Sequence, residues 1–182
     1  VKATAPTMVL RLHIPIPLDA RPGRRTFGIL VRQAQKTSEL TVTATIHRAT
    51  LPAAGETSFP YTNWYSFANM AKSHRLNPWS PGHWQMIRKY ADLMVHGRQN
   101  MFWFTFDDVF RVKNGKPILN RARLRRMVHT FTDAGLYYIE GCHLAHRSRG
   151  GWEANGLDAN GLKEPATSPS GNVFLAAALA QL

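Results

Sequence analysis

One pattern occurs twice between residues 96 and 147, and it limits the fold more than any other feature of the chain. The first copy is HGRQNMFWFTFDD (96–108); the second, after a helical stretch, is GLYYIEGCHLAHR (135–147). In each, a glycine ends a helix, an aromatic-rich apolar run follows, and polar side chains stand where the run stops. A short apolar run without alternation is a strand buried on both faces, and a helix between two such runs is the crossover of a parallel pair. In parallel sheets, ligands gather at the carboxyl ends of the strands.

The preceding part has a different period. Leu10, Leu12, Ile14 and Ile16 recur at every second position; so do Phe27, Ile29 and Val31, and then Leu40, Val42, Ala44 and Ile46. Period two predicts half-buried strands. Turn-forming residues 17–23 and polar residues 32–39 separate the runs, so three antiparallel strands are expected, belonging to a β-sandwich. Three strands bury little alone, so further strands are expected to complete the sandwich.

Residues 53–57 carry no period and read as a linker, dividing strands of a β-sandwich (1–52) from an α/β region (58–182). Phe59 to Trp64 reads as a first aromatic strand. Ser80-Pro81 has the form of a helix start, a serine cap followed by proline in the first turn. Trp84, Ile87, Tyr90, Ala91 and Met94 then recur at helical spacing up to Gly97. Met101 to Phe106 is the second strand, and Asn114-Gly115 predicts a tight hairpin over 110–118. Asn120 caps a helix carrying Leu124, Met127, Val128 and Phe131, which stops at Gly135; Leu136 to Ile139 is the third strand. Residues 141–167 have no regular period, and Ser168-Pro169 starts a last helix. The fold class is α/β: β-sandwich strands followed by the first three β/α units of a (β/α)8 TIM-type barrel. Such a barrel needs eight units and roughly 250 residues. The chain starts at Val1 and stops at Leu182 inside an apolar helical run, so both ends are read as cut.

Charge and cysteine content narrow the function classes. A net charge of +12 invites a nucleic-acid reading. The charge is mostly arginine scattered from Arg11 to Arg149. Its one dense run, Arg121 to Arg126, has helical spacing beside Leu124, Met127 and Val128. That is the pattern of a solvated helix face, so no nucleic-acid partner is expected. No run of eighteen apolar residues exists, so no membrane span is expected. Cys142 is the single cysteine, which excludes an internal disulfide framework and leaves the compartment open.

The strand-end rule selects Asn63 and Trp64 after the first strand, Asp107 and Asp108 after the second, and Glu140, His143 and His146 after the third. Each has a plainer reading: a solvated turn for the aspartates, core packing for Trp64. His143 and His146, beside Cys142 and Glu140, have one feature of a zinc site but no second ligand pair, so no metal is expected. Neither a phosphate-cradling glycine loop nor a nucleophile-elbow serine is present, and no cofactor is expected. Tryptophan, asparagine, carboxylate and histidine on one rim suit a carbohydrate, whose apolar ring face stacks on an aromatic while its hydroxyls bond to amides and carboxylates.

Several segments carry a resemblance: 14–23 with its strand, closing at 49–52; Asn77-Pro-Trp-Ser80; 96–100; 139–144; and 166–171. In order and spacing these resemble the family 123 glycoside hydrolases and related bacterial proteins, over nearly the whole chain. The resemblance implies a β-sandwich on a (β/α)8 barrel that cleaves terminal N-acetylhexosamine, notably β-linked N-acetylgalactosamine. It also implies a substrate-assisted retaining mechanism, outside the usual two-carboxylate scheme. An aspartate orients the substrate's acetamido group and an adjacent glutamate protonates the leaving oxygen. That family's Asp-Glu pair ends the fourth barrel strand. No Asp-Glu dipeptide occurs here, so the catalytic residues are expected outside this chain. Asn63, Trp64, Asp107, Glu140 and His143 are carried over as substrate-binding candidates only. A non-catalytic carbohydrate-binding protein on the same scaffold is the alternative.

Overall fold

The structure, a computed structural model, describes residues 9, 11–33, 35–141, 143–147, 155–157 and 165–182. It is mixed α/β, with small sheets and five helices among these residues. The chain divides into two compact units, Val1–Pro52 and Ala53–Leu182.

The first unit is built on one long hairpin, β1 (Gly23–Gln33) and β2 (Lys36–Ile46). Its register pairs Phe27 with Val42, Ile29 with Leu40 and Gly23 with Ile46. That places Phe27, Ile29, Val31, Leu40, Val42, Ala44 and Ile46 on one face, and a row of threonines (Thr37, Thr41, Thr43, Thr45) on the other. Two of the three expected strands therefore form, longer than the alternation alone suggests, because the polar residues near 32 and 36–39 continue the ladder. Residues 11–16 form no strand. Pro15 and Pro17 remove ladder donors there, which outweighs the alternating pattern. Leu10 lies outside the described residues.

The second unit begins with α1 (Phe67–Ser73), capped by Ser66, whose side chain accepts from the Asn69 amide. Helix α2 (Pro81–His96) starts as its Ser-Pro pattern predicts: Ser80 accepts from the His83 amide, and Pro81 occupies the first turn. Gly97 ends it, and Arg98 next to it takes the left-handed backbone at φ 65°. Strand β3 (Met101–Trp103) is shorter than expected, since Phe106 already belongs to a one-turn helix, α3 (Phe106–Val109). The hairpin β4 (Phe110–Lys113) and β5 (Lys116–Leu119) turns at Asn114 and Gly115, both at positive φ. Helix α4 (Arg121–Thr132) is capped by Asn120, and β6 (Tyr138–Glu140) pairs with β3 in parallel, Phe102 opposite Ile139 and Trp103 opposite Glu140. A small antiparallel pair, β7 (Ala145–Arg147) with β8 (Asn155–Leu157), lies in the stretch expected to be irregular. Within that stretch, 142, 148–154 and 158–164 lie outside the described residues. Helix α5 (Pro169–Leu179) is capped by Ser168, and beyond it Gln181 bonds the Leu119 amide and the Pro117 carbonyl, covering an edge of β5.

The apolar faces of α2, α4 and α5 close over β3 and α3. Phe102, Phe131, Ile87, Met127, Leu136 and Val109 are fully enclosed. Phe102 and Phe131 stack at 4.5 Å, as do Phe106 and Phe110 at 4.4 Å. His83 is buried with them. Its Nδ1 accepts from the Trp79 amide at 2.9 Å, and burial lowers its pKa, so the ring is held neutral. Among the described residues, no helix is long and apolar enough to cross a membrane.

Candidate functional site

The segment expected as the first strand, 59–64, is extended but does not form a strand. Pro60 removes one donor. Two side-chain amides supply what a backbone ladder would have given. Asn100 Oδ1 accepts from the Tyr61 amide at 2.8 Å, and Gln99 Oε1 from the Asn63 amide at 2.9 Å. Asn100 Nδ2 also donates to the carbonyls of Gly55 and Ser58, at 2.9 and 3.2 Å. The Tyr61 carbonyl in turn accepts from the amides of Asn100 and Met101. The segment is thus fixed against the start of β3, which brings Trp64 to the far end of that strand.

There Trp64 meets Glu140 across 76 residues. Its indole Nε1 donates to both carboxylate oxygens, at 3.0 and 3.1 Å. The ring stacks on Trp103 at 5.4 Å and meets His143 edge-on at the same distance. Trp64 is nevertheless 61% exposed. Trp103 and Glu140 are the paired last residues of β3 and β6, so the cluster sits at the carboxyl end of the parallel pair. Underneath, the Tyr65 hydroxyl donates to the Trp103 carbonyl at 3.0 Å. Burial pushes this phenol far above its usual range, only partly offset by the backbone bond and reinforced by the Asp108 charge, so it stays a donor.

Of the five candidates, Trp64, Glu140 and His143 come together. Asn63 is adjacent, and its Oδ1 accepts from the Tyr61 hydroxyl at 3.3 Å. Asp107 does not stand at a strand end. It lies exposed in the first turn of α3, because Thr105 and Asp108 close a local capping box that turns the chain into a helix. Asp108 Oδ2 accepts from the Thr105 amide at 2.8 Å and its hydroxyl at 2.7 Å. Cys142 and the His146 side chain lie outside the described residues, among which no group of three metal-ligating side chains occurs. Sequence reasoning missed Trp103, Gln99 and Asn100. Their signal was available in two amides placed immediately before an apolar strand and a tryptophan within it.

No protein-family model matches the chain, and neither does any curated protein. Its function is therefore read from this cluster.

Asp108 gives a pH test of the framework. Burial raises its pKa, while the Thr105 bonds and Arg123 pull it down less strongly and Asp107 raises it. A carboxyl whose pKa is raised on folding binds its proton more tightly in the folded state. Its contribution to stability is complete below the ordinary value of 3.8 and is lost as pH rises through the folded value. Asp108→Asn keeps an acceptor for Thr105 and carries no charge. Urea unfolding across that interval should show the native protein losing stability relative to the variant as pH rises. A constant difference would mean that Asp108 is not desolvated.

Proposed function

We propose that residues 53–182 form part of a (β/α)8-type glycoside hydrolase scaffold whose strand-end rim binds a terminal N-acetylhexosamine, β-linked N-acetylgalactosamine in particular. The observation that carries this reading is Trp64, an exposed indole held by a carboxylate and backed by a second tryptophan. A ring fixed in this way loses little freedom when a sugar face stacks on it, and His143 and Asn63 beside it can bond hydroxyl or acetamido groups. The parallel β3–β6 pair and its intervening helices support the barrel assignment. The one-sided apolar face of the β1–β2 hairpin supports a β-sandwich in the first unit. Under this reading the chain supplies binding, and no residue in it is assigned to bond cleavage.

The non-catalytic carbohydrate-binding reading also has a specific support. Both Glu140 oxygens are engaged by Trp64, so this carboxylate fixes a platform instead of presenting a proton to a leaving group.

The test is titration with N-acetylgalactosamine and its gluco epimer, followed by tryptophan emission. Trp64→Ala should weaken binding about tenfold or more through loss of stacking area. Glu140→Gln keeps an acceptor for the indole and should weaken binding by roughly three- to tenfold, the scale of one ordinary net hydrogen bond. Absence of binding by either epimer at millimolar concentration would remove the sugar assignment, and full affinity in Trp64→Ala would remove the rim. Under either reading these 182 residues bind without turning over a chromogenic β-N-acetylgalactosaminide; turnover would show that cleavage residues lie within them and would remove the second reading.

A further inference from the structure

Helix α4 is charged against its own stability. Arg121, Arg123, Arg125 and Arg126 crowd its first turns, and the first turn holds no acidic residue. Cations at the positive end of a helix dipole are unfavourable. Arg121 and Arg125, one turn apart, also repel each other. Packing accounts for two of the four. Arg123 lies over the Trp79 ring at 4.4 Å and donates to the Asp108 carbonyl at 2.9 Å; Arg126 lies over Trp84 at 4.6 Å.

Of the other two, Arg125 borders a groove, together with Arg126. Arg125, Arg126 and His129 of α4 and Arg88 of α2 line an open cleft of about 610 Å³ between the two helices, floored by Trp84. Arg88 is steadied by the Asp92 carboxylate at 2.9 Å and the Asp133 carbonyl at 3.3 Å. Three guanidiniums and His129 thus meet two carboxylates, Asp92 on Arg88 and Asp133 in the lining, which leaves positive charge in excess. Guanidinium groups recognise planar or tetrahedral oxyanions through paired N–H donors. Gln85 and Thr130, also in the lining, add neutral partners for hydroxyls.

We propose that the α2–α4 groove binds an acidic polysaccharide chain, with Arg88, Arg125 and Arg126 engaging its sulfate or carboxylate groups. Single-stranded nucleic acids are usually gripped by aromatic faces that stack on the bases. Trp84 is buried beneath Arg126 and offers no such face. The choice of a glycan over other polyanions rests on the saccharide reading of the Trp64 rim. The groove's demand for an anion does not.

The test is fluorescence anisotropy of the 182-residue chain with labelled heparin and polygalacturonate oligosaccharides at 50 and 200 mM salt. Both sulfate and carboxylate arms should bind, the tighter one identifying the preferred group, and binding should weaken with salt. Arg88→Gln combined with Arg125→Gln should weaken it at least tenfold, with an unchanged circular dichroism spectrum. Arg24→Gln combined with Arg32→Gln, an equal loss of charge on the β1–β2 hairpin, should alter it less than twofold. Equal losses in the two double variants would overturn the groove in favour of diffuse charge. An oligonucleotide of equal charge that binds as tightly would overturn the glycan, as would a neutral dextran. Heparin binding of the expected form without N-acetylhexosamine binding keeps the groove and removes the rim; the reverse result keeps the rim and removes the groove.

Discussion

Truncating Phe131 to alanine should destabilise the 53–182 unit by about 3–5 kcal/mol, the range for a large aromatic deleted from a closed core. Phe131 is fully enclosed, and its ring joins four elements. It stacks on Phe102 of β3 at 4.5 Å with the planes 9° apart, and meets Phe67 of α1 and Tyr65 at about 6 Å. It projects from α4, so its loss opens a cavity at the meeting point of that helix, the parallel strand pair and the segment leading to the rim. A domain is stable by only about 5–15 kcal/mol in total, so the variant should sit near its unfolding threshold. Urea titration followed by tryptophan emission should show the midpoint fall steeply. Phe131→Leu keeps most of the apolar volume but not the stack, and should cost only about 1–2 kcal/mol. An alanine variant within 1 kcal/mol of the native protein would show that the neighbours collapse into the space and that Phe131 is not the centre of this core.

The elements that were legible from the sequence are those fixed by chemistry within a few residues. Ser80, Asn120 and Ser168 each satisfy the amide three positions on, and Asn114-Gly115 supplies the positive φ values that a two-residue hairpin turn requires. Features set by competition or by distant pairing were harder to read. The alternation at 11–16 lost to Pro15 and Pro17. Helix α1 spans seven residues, too few for a 3.6-residue period to stand out. Asp107 was expected at a strand end because Met101–Phe106 looked like one continuous strand; the Thr105–Asp108 box ends it three residues early. At the rim, the strand-end rule pointed to Trp64, Glu140 and His143. The bond between the first two depends on a register that sets Trp103 opposite Glu140, which no local pattern encodes. In the sequence Trp103 is one more aromatic residue of an apolar run.

Asn100 shows why such a residue is hard to find in sequence and costly to change. It is completely buried, yet every polar atom of its side chain is used: Oδ1 by the Tyr61 amide, Nδ2 by Gly55, the Ser58 carbonyl and Ser58 Oγ. Its own carbonyl accepts from Tyr137 and Tyr138 at the entry to β6. One residue therefore ties 55–61, β3 and β6 together, the first through its side-chain amide and β6 through its main-chain carbonyl. Asn100→Ala should cost about 2–4 kcal/mol, because several partners lose their bonds at once. Asn100→Asp should be worse at neutral pH, since it keeps the acceptor for Tyr61 but turns a carboxylate toward two carbonyl oxygens. Burial should raise the new carboxyl's pKa in the folded state above its unfolded value of about 3.9. The aspartate variant's deficit should then grow as pH rises from about 4 through that raised value, and shrink in acid, where a protonated carboxyl can donate again. The alanine variant should show no such pH dependence in its deficit. In both, residues 55–58 lose the Asn100 donor and only Gln99 and the Tyr61 carbonyl hold 61–64, so Trp64 should loosen from Glu140 and its emission shift toward that of a fully solvated indole. If stability falls while Trp64 emission and sugar affinity stay native, the platform is held by Glu140 and Trp103 alone, and Asn100 serves only the fold.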